Sequence, residues 1–137
     1  MAKTERQRYD ASSIDVLRGV EGIRNNPTMY IGSTGSRGLH HLLWEIIDNS
    51  VDEALEGFGK KIIVAITESG TICVEDLGRG IPVGIHQQEQ VSALDLVLTE
   101  IHAGGKLRNK ENGSYTASGG VHGIGASAVN ALSEWMK

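Results

Sequence analysis

Apolar residues recur at helical spacing through the stretch "HHLLWEIIDNSVDEALEGFG", His40 to Gly59. Leu39, Leu42, Leu43, Ile46, Ile47, Val51, Ala54 and Leu55 predict a long helix that starts near Gly38 and ends at Gly57 or Gly59. Upstream, Ile14, Leu17, Val20 and Ile23 predict a short helix capped by Ser12 or Ser13. That helix must stop before Pro27, and "MYIGSTGSRG" then reads as a turn-rich connector. In "KKIIVAITESGTICVED" two β-branched runs flank Glu68-Ser69-Gly70, which predicts a hairpin. Its second strand puts Ile72, Val74 and Asp76 on one face, because side chains of equal parity point the same way. A further helix is predicted from about Val91 to His102, with Leu94, Val97, Leu98 and Ile101 inward. A polar, glycine-studded segment follows; a loop of that length is a lid or disordered. "HGIGASAVNAL" opens the last helix, with Ile124, Val129 and Leu132 at core positions.

The polar side of the long helix changes the picture. His41, Glu45, Asp48, Asn49 and Asp52 fall at steps of three or four and share one stripe without a Lys or Arg. A glutamate there can act as a general base. An asparagine oxygen suits Mg²⁺, which prefers oxygen donors and keeps several waters. His41, one turn before Glu45, can orient it by hydrogen bonding. A solvated acidic face would show the same residues, although such faces normally interleave lysines.

The totals narrow the classes. The chain has 137 residues, one ordinary domain. Its 39% apolar and 22% charged residues suit a soluble globular protein. The N-terminus lacks an apolar signal core and no membrane-length apolar run occurs, which points to the cytoplasm. Single Cys73 suits a reducing compartment. Net charge is −4 without a dense basic run, so this chain is not expected to grip DNA by itself. Eighteen glycines are nearly twice the ~7% average. They cluster in "GRGIPVG", "HAGGK" and "SGGVHGIG".

Asp76 closes its strand beside aliphatic neighbours. A carboxylate buried there needs a partner, and a buried donor such as the adenine amino group would serve; a strand-end turn aspartate is the alternative. "GGVHGIG" feeds a helix N-terminus, where free N–H groups favour anions. It is not a Walker A loop, because no Lys-Ser/Thr follows, and it lacks the strand that a dinucleotide fingerprint requires. Lys106 could add a cation for phosphate or be a solvated loop lysine. Tyr9, Tyr30 and Tyr115 read, on their own, as surface-packed.

Four motifs in order carry a resemblance: "EIIDNSVDEAL", "EDLGRGIPVGIH", "HAGGK" and "SGGVHGIGASAVNALS". From Tyr9 to Trp135 the chain resembles the ATPase domain of bacterial type II topoisomerases, within the Bergerat-fold superfamily of gyrase, chaperone, histidine-kinase and mismatch-repair ATPases. The resemblance implies an α+β two-layer sandwich, with helices on one face of a mixed β-sheet and ATP between helix and sheet. It implies an arm over residues 1–12 and an ATP-binding domain over 13–137. By resemblance, Glu45 is the base that activates water, His41 its helper and Asn49 the Mg²⁺ ligand. Asp76 is the adenine reader, and Arg79, Gly80, Ile81 and Pro82 form the pocket wall where inhibitors bind in the family. Lys106, Tyr115, Gly120, Val121, His122, Gly123, Ile124, Gly125 and Ala126 belong to the ATP site and its lid. Tyr9 is the arm tyrosine that enters the partner's site. The implied cofactors are ATP and Mg²⁺. The implied partners are a second B subunit in an ATP-closed dimer, the A subunit of the topoisomerase, and DNA held by other domains, with no membrane.

Three positions depart from the family's usual residues: Leu77 for Asn or Asp, Thr28 for Gly after Pro27, and Leu107 for Phe. The family's domain continues into a transducer domain that supplies a lysine to the γ-phosphate. Ending at Lys137, the chain is expected to be a truncated piece with weak hydrolysis of its own. A non-hydrolysing nucleotide module, a mismatch-repair ATPase or a kinase of the same superfamily is the alternative.

Overall fold

The structure is a computed structural model that describes residues 18–101 and 124–137. Five helices and two strands run in the order α1 (Gly19–Asn25), α2 (Pro27–Ile31), α3 (Ser36–Leu55), β1 (Ile62–Ile66), β2 (Ile72–Asp76), α4 (Ala93–Thr99) and α5 (Gly125–Leu132). The fold is α+β. Among the described residues the sheet is one antiparallel pair with Val64 opposite Val74 and Ile62 opposite Asp76.

Helix α3 is the backbone of the molecule. Its C-terminus closes with a Schellman pattern: Gly57 N–H donates to Ala54 O at 3.1 Å and Phe58 N–H to Glu53 O at 2.9 Å. Gly57 has φ +92°, the left-handed conformation that this stop requires. The chain then turns into β1, and β2 returns to lie against α3. The Asp76 side of β2 meets α3, where Ser50 donates to the Asp76 carboxylate.

Helix α5 packs on α1, α3 and α4. Its buried face is Ser127, Ala128 and Ala131; Val129 and Leu132 are only partly covered. Small side chains are what allow three helices to approach one. Ile23, Ala128 and Ala131 form the centre, with Val20, Tyr30, Leu42, Ile101 and Leu132 around them. Two side chains stitch this cluster: Arg24 Nε donates to Ala131 O at 2.7 Å and Asn130 Nδ2 to Leu98 O at 2.9 Å.

Several boundaries differ from the sequence expectation. Pro27 does more than stop α1: it occupies the first turn of α2, where its missing N–H costs nothing and its φ is preset. Tyr30, on that helix, packs against the core rather than lying on the surface. Helix α4 covers only Ala93–Thr99, because Ser92 caps it by accepting from Leu94 N–H and Glu100 is already extended. The start of the first predicted helix, the 1–12 arm and the 102–123 segment lie outside the described residues.

Candidate functional site

The predicted stripe on α3 divides when folded. Asp52 is buried and engaged, while His41 and Asn49 are exposed and Glu45 and Asp48 half-buried. Residues 41 to 52 stay within about 100° around a helix of 3.6 residues per turn but spread over about 16 Å along it, so the stripe is divided by distance along the axis. Glu45 keeps 20% of its side chain exposed, and His41 Nε2 lies 3.3 Å from its Oε1. On its other side Glu45 abuts Gly125, the first residue of α5. Ile124 makes no side-chain cap hydrogen bond, and the first N–H groups of a helix have no intrahelical partner.

Five residues further along α3 the chemistry changes. Ser50, itself buried, donates to Asp76 Oδ2 at 2.6 Å, and Gly78 N–H donates to Asp76 Oδ1 at 2.8 Å. Asp76 is exposed rather than buried, so no desolvation penalty has to be met. Both its oxygens are fixed, and an ionised carboxylate with about four lone-pair sites still has room to accept from a ligand. Beside it, Arg79 Nε and Nη2 donate to the two oxygens of Glu53 at 2.9 and 2.8 Å. The same Nη2 donates to Glu56 at 2.6 Å, and the guanidinium lies 4.0 Å over the Phe58 ring. The Glu53 hydrogen bonds, then those of Glu56, hold the Arg79 pKa above its ordinary value. Its charge is permanent and already matched within the protein.

Of the residues anticipated for the site, α3 gathers His41, Glu45, Asp76, Arg79 and Gly125 along its length. Gly80 has φ +77° in the exposed loop after Arg79, and Ile81 is also exposed there. Pro82 lines a shallow groove of about 390 Å³ with Gly84, Ile85, His86 and Ala93, a groove that none of the α3 residues lines. A smaller one of about 100 Å³ lies at Asp76, between Lys61, Ile63, Glu75 and Leu77. Ile124 and Ala126 flank Gly125 at the start of α5 and are half-buried. Tyr9, Lys106, Tyr115, Gly120, Val121, His122 and Gly123 lie outside the described residues. Ser50, Glu53, Glu56 and Phe58 are site residues that the sequence pattern did not single out. The only hint was their helical spacing of three from 50 to 53 to 56.

Glu45 thus lies beside the start of α5, and Asp76 on β2 is held by Ser50, five residues beyond Glu45 on α3. The family model for histidine kinase-, DNA gyrase B- and HSP90-like ATPases matches residues 34–137. The chain belongs to this ATPase family. It is 57% identical over 129 residues to the DNA gyrase B subunit of Treponema denticola, covering 94% of this chain and 20% of that protein. It is 52% identical over 137 residues to the DNA topoisomerase 4 B subunit of Enterococcus faecalis, covering 100% of this chain and 19% of that protein. The fold matches the crystal structure of the 43K ATPase domain of Thermus thermophilus gyrase B in complex with an aminocoumarin. There the TM-score is 0.67 at 45% identity, over 86% of this chain and 27% of that one. The chain thus spans about a fifth of the length of the curated relatives it matches.

Proposed function

We propose that the chain is the ATP-binding region of a type II DNA topoisomerase subunit of the gyrase B or topoisomerase IV B kind. ATP binding and hydrolysis close a gate between two B subunits. The A subunit and DNA engage other parts of the assembly, in the cytoplasm. The observation that carries this reading is the placement of Glu45 and Asp76 along one helix. Glu45 stands beside the N-terminus of α5, the end of a helix that suits phosphate, and Asp76 offers a fixed acceptor suited to an amino group.

In the hydrolytic step Glu45 accepts a proton from water as the water oxygen bonds to the γ-phosphorus. The bond from that phosphorus to the β,γ-bridging oxygen breaks, and ADP carries the electrons away. His41, 3.3 Å from Oε1, holds the carboxylate in orientation through that step. Asp76, held by Ser50 and Gly78, accepts from the adenine 6-amino group. Ile81 and Pro82 supply apolar wall to the base, and Arg79, braced on α3, fixes the loop that carries Gly80.

Mg²⁺ takes most of its oxygens from phosphate and water, so one side-chain oxygen suffices. Asn49, exposed one turn after Glu45, fits that need. The described residues hold no cluster of three His, Cys, Asp or Glu that would build a metal cage of protein alone. When bound, the ion neutralises phosphate charge. Residues 1–12 form the arm that brings Tyr9 to the partner's site, and residues 13–137 form the ATP-binding domain. Lys106, Tyr115 and Gly120 to Ala126 close over the phosphates.

The test is Glu45→Gln in the full-length protein assembled with its A partner. General-base removal is expected to lower ATP turnover by about 10²- to 10⁴-fold and to stop ATP-driven strand passage with it. Parental turnover in that variant overturns the assignment.

A further inference from the structure

Gly125 is a glycine whose backbone does not need one. It lies in the first turn of α5 without a positive φ, so any L-residue could adopt its conformation. Space is what excludes a side chain. A Cβ built at Gly125 runs into Glu45 Oε2 well inside contact distance, and meets Glu45 Cβ at 3.1 Å and Cδ at 3.3 Å. The oxygen could swing aside, but Glu45 Cβ is fixed to the α3 backbone. A methyl at 125 therefore expels the carboxylate from its position or shifts α5 slightly on α3.

We infer that Gly125 is a positioning residue for Glu45: the missing side chain forms the seat that holds the carboxylate at the start of α5. This rests on the reading of Glu45 as general base, and it gives Gly125 a role distinct from making room for phosphate. The Glu45 side chain is held from one side by His41 at 3.3 Å. From the other it is held by the Gly125 backbone. A base confined in that way keeps its oxygen aimed at one point, and misplacing a reacting group by about 1 Å can cost about 100-fold in rate.

The experiment compares four forms of the full-length protein: parent, Gly125→Ala, Glu45→Asp and the Gly125→Ala/Glu45→Asp pair, with Glu45→Gln as reference. Steady-state turnover, affinity for a non-hydrolysable ATP analogue with Mg²⁺, and the thermal midpoint are measured on each. Gly125→Ala is expected to lower kcat by about 100-fold. Analogue affinity should fall far less than kcat, since the loss through Glu45 falls on the transition state. The thermal midpoint should shift by no more than a few degrees, because alanine's better helix propensity offsets part of the crowding against Glu45 Cβ. The shorter side chain of Glu45→Asp withdraws the carboxylate from the seat. In that background the added alanine should therefore cost less than about tenfold, a non-additivity expected only of residues in contact. The inference is overturned if Gly125→Ala leaves kcat unchanged while Glu45→Gln abolishes turnover. It is equally overturned if the alanine mainly weakens nucleotide affinity, or if its cost is undiminished in the Glu45→Asp background. Unchanged turnover in Glu45→Gln instead removes the base assignment itself, and with it this role for Gly125.

Discussion

The N-terminal half of α3 meets its neighbour across a missing side chain, and the C-terminal half meets its neighbours through charged hydrogen bonds. Glu45 touches the bare backbone of Gly125 and a half-exposed imidazole. Glu53, eight residues on, is bound at both oxygens by Arg79 and also accepts from Arg79 N–H at 3.2 Å. Both are glutamates on one helix. The difference shows how a single element serves two tasks. Glu45 is oriented by an imidazole and a bare backbone, with no Lys or Arg paired to it among the described residues. Glu53 and Glu56, which brace the 77–80 loop, are matched by Arg79. Asp76 stands between these cases: it is fixed by Ser50 and Gly78, two neutral donors that leave its charge for a ligand.

That contrast can be broken from either end. The largest effect is expected from Glu45→Gln, which should remove turnover by orders of magnitude yet leave analogue affinity within about threefold. Asp76→Asn should do the reverse. A hydrogen bond to a charged group is worth about 1.5–3 kcal/mol, so nucleotide affinity should fall about 10- to 100-fold in a calorimetric titration, with native circular dichroism. Glu53→Ala leaves Arg79 held by Glu56 and Phe58 alone and loosens the 77–80 loop. Affinity should drop several-fold and become more sensitive to salt, while stability changes by less than about 1 kcal/mol because the pair is partly exposed. Ser50→Ala is the smallest. It removes one buried hydroxyl donor and should cost about 1 kcal/mol in chemical denaturation. If Glu53→Ala abolished turnover as Glu45→Gln does, the division between the two halves would not hold.

What was legible in the sequence was local. The His41–Glu45 pair is one helical turn, the hairpin is bounded by its own turn residues, and strand parity puts Asp76 on the face of Ile72 and Val74. What was not legible depended on distant partners. Ser50 and Glu53 act on residues 26 positions away, and nothing in their own surroundings marks them. The core face of α5 differs from expectation for a related reason. Periodicity favours large apolar residues such as Val129, whereas packing against three helices selected Ser127, Ala128 and Ala131. Gly125 was expected as a glycine for phosphate, but its contact with Glu45 needed the α3–α5 approach.

The most direct test of the central claim, that a nucleotide lies along α3 with its base at Asp76, is base discrimination. Non-hydrolysable ATP and GTP analogues with Mg²⁺ would be titrated calorimetrically into the parent and Asp76→Asn proteins. Asp76 only accepts, so it should favour the amino group of adenine over the carbonyl of guanine, and this preference should collapse by at least about tenfold in Asp76→Asn, whose amide can also donate. An unchanged preference in that variant, with the protein still folded, would place the base elsewhere and contradict the account.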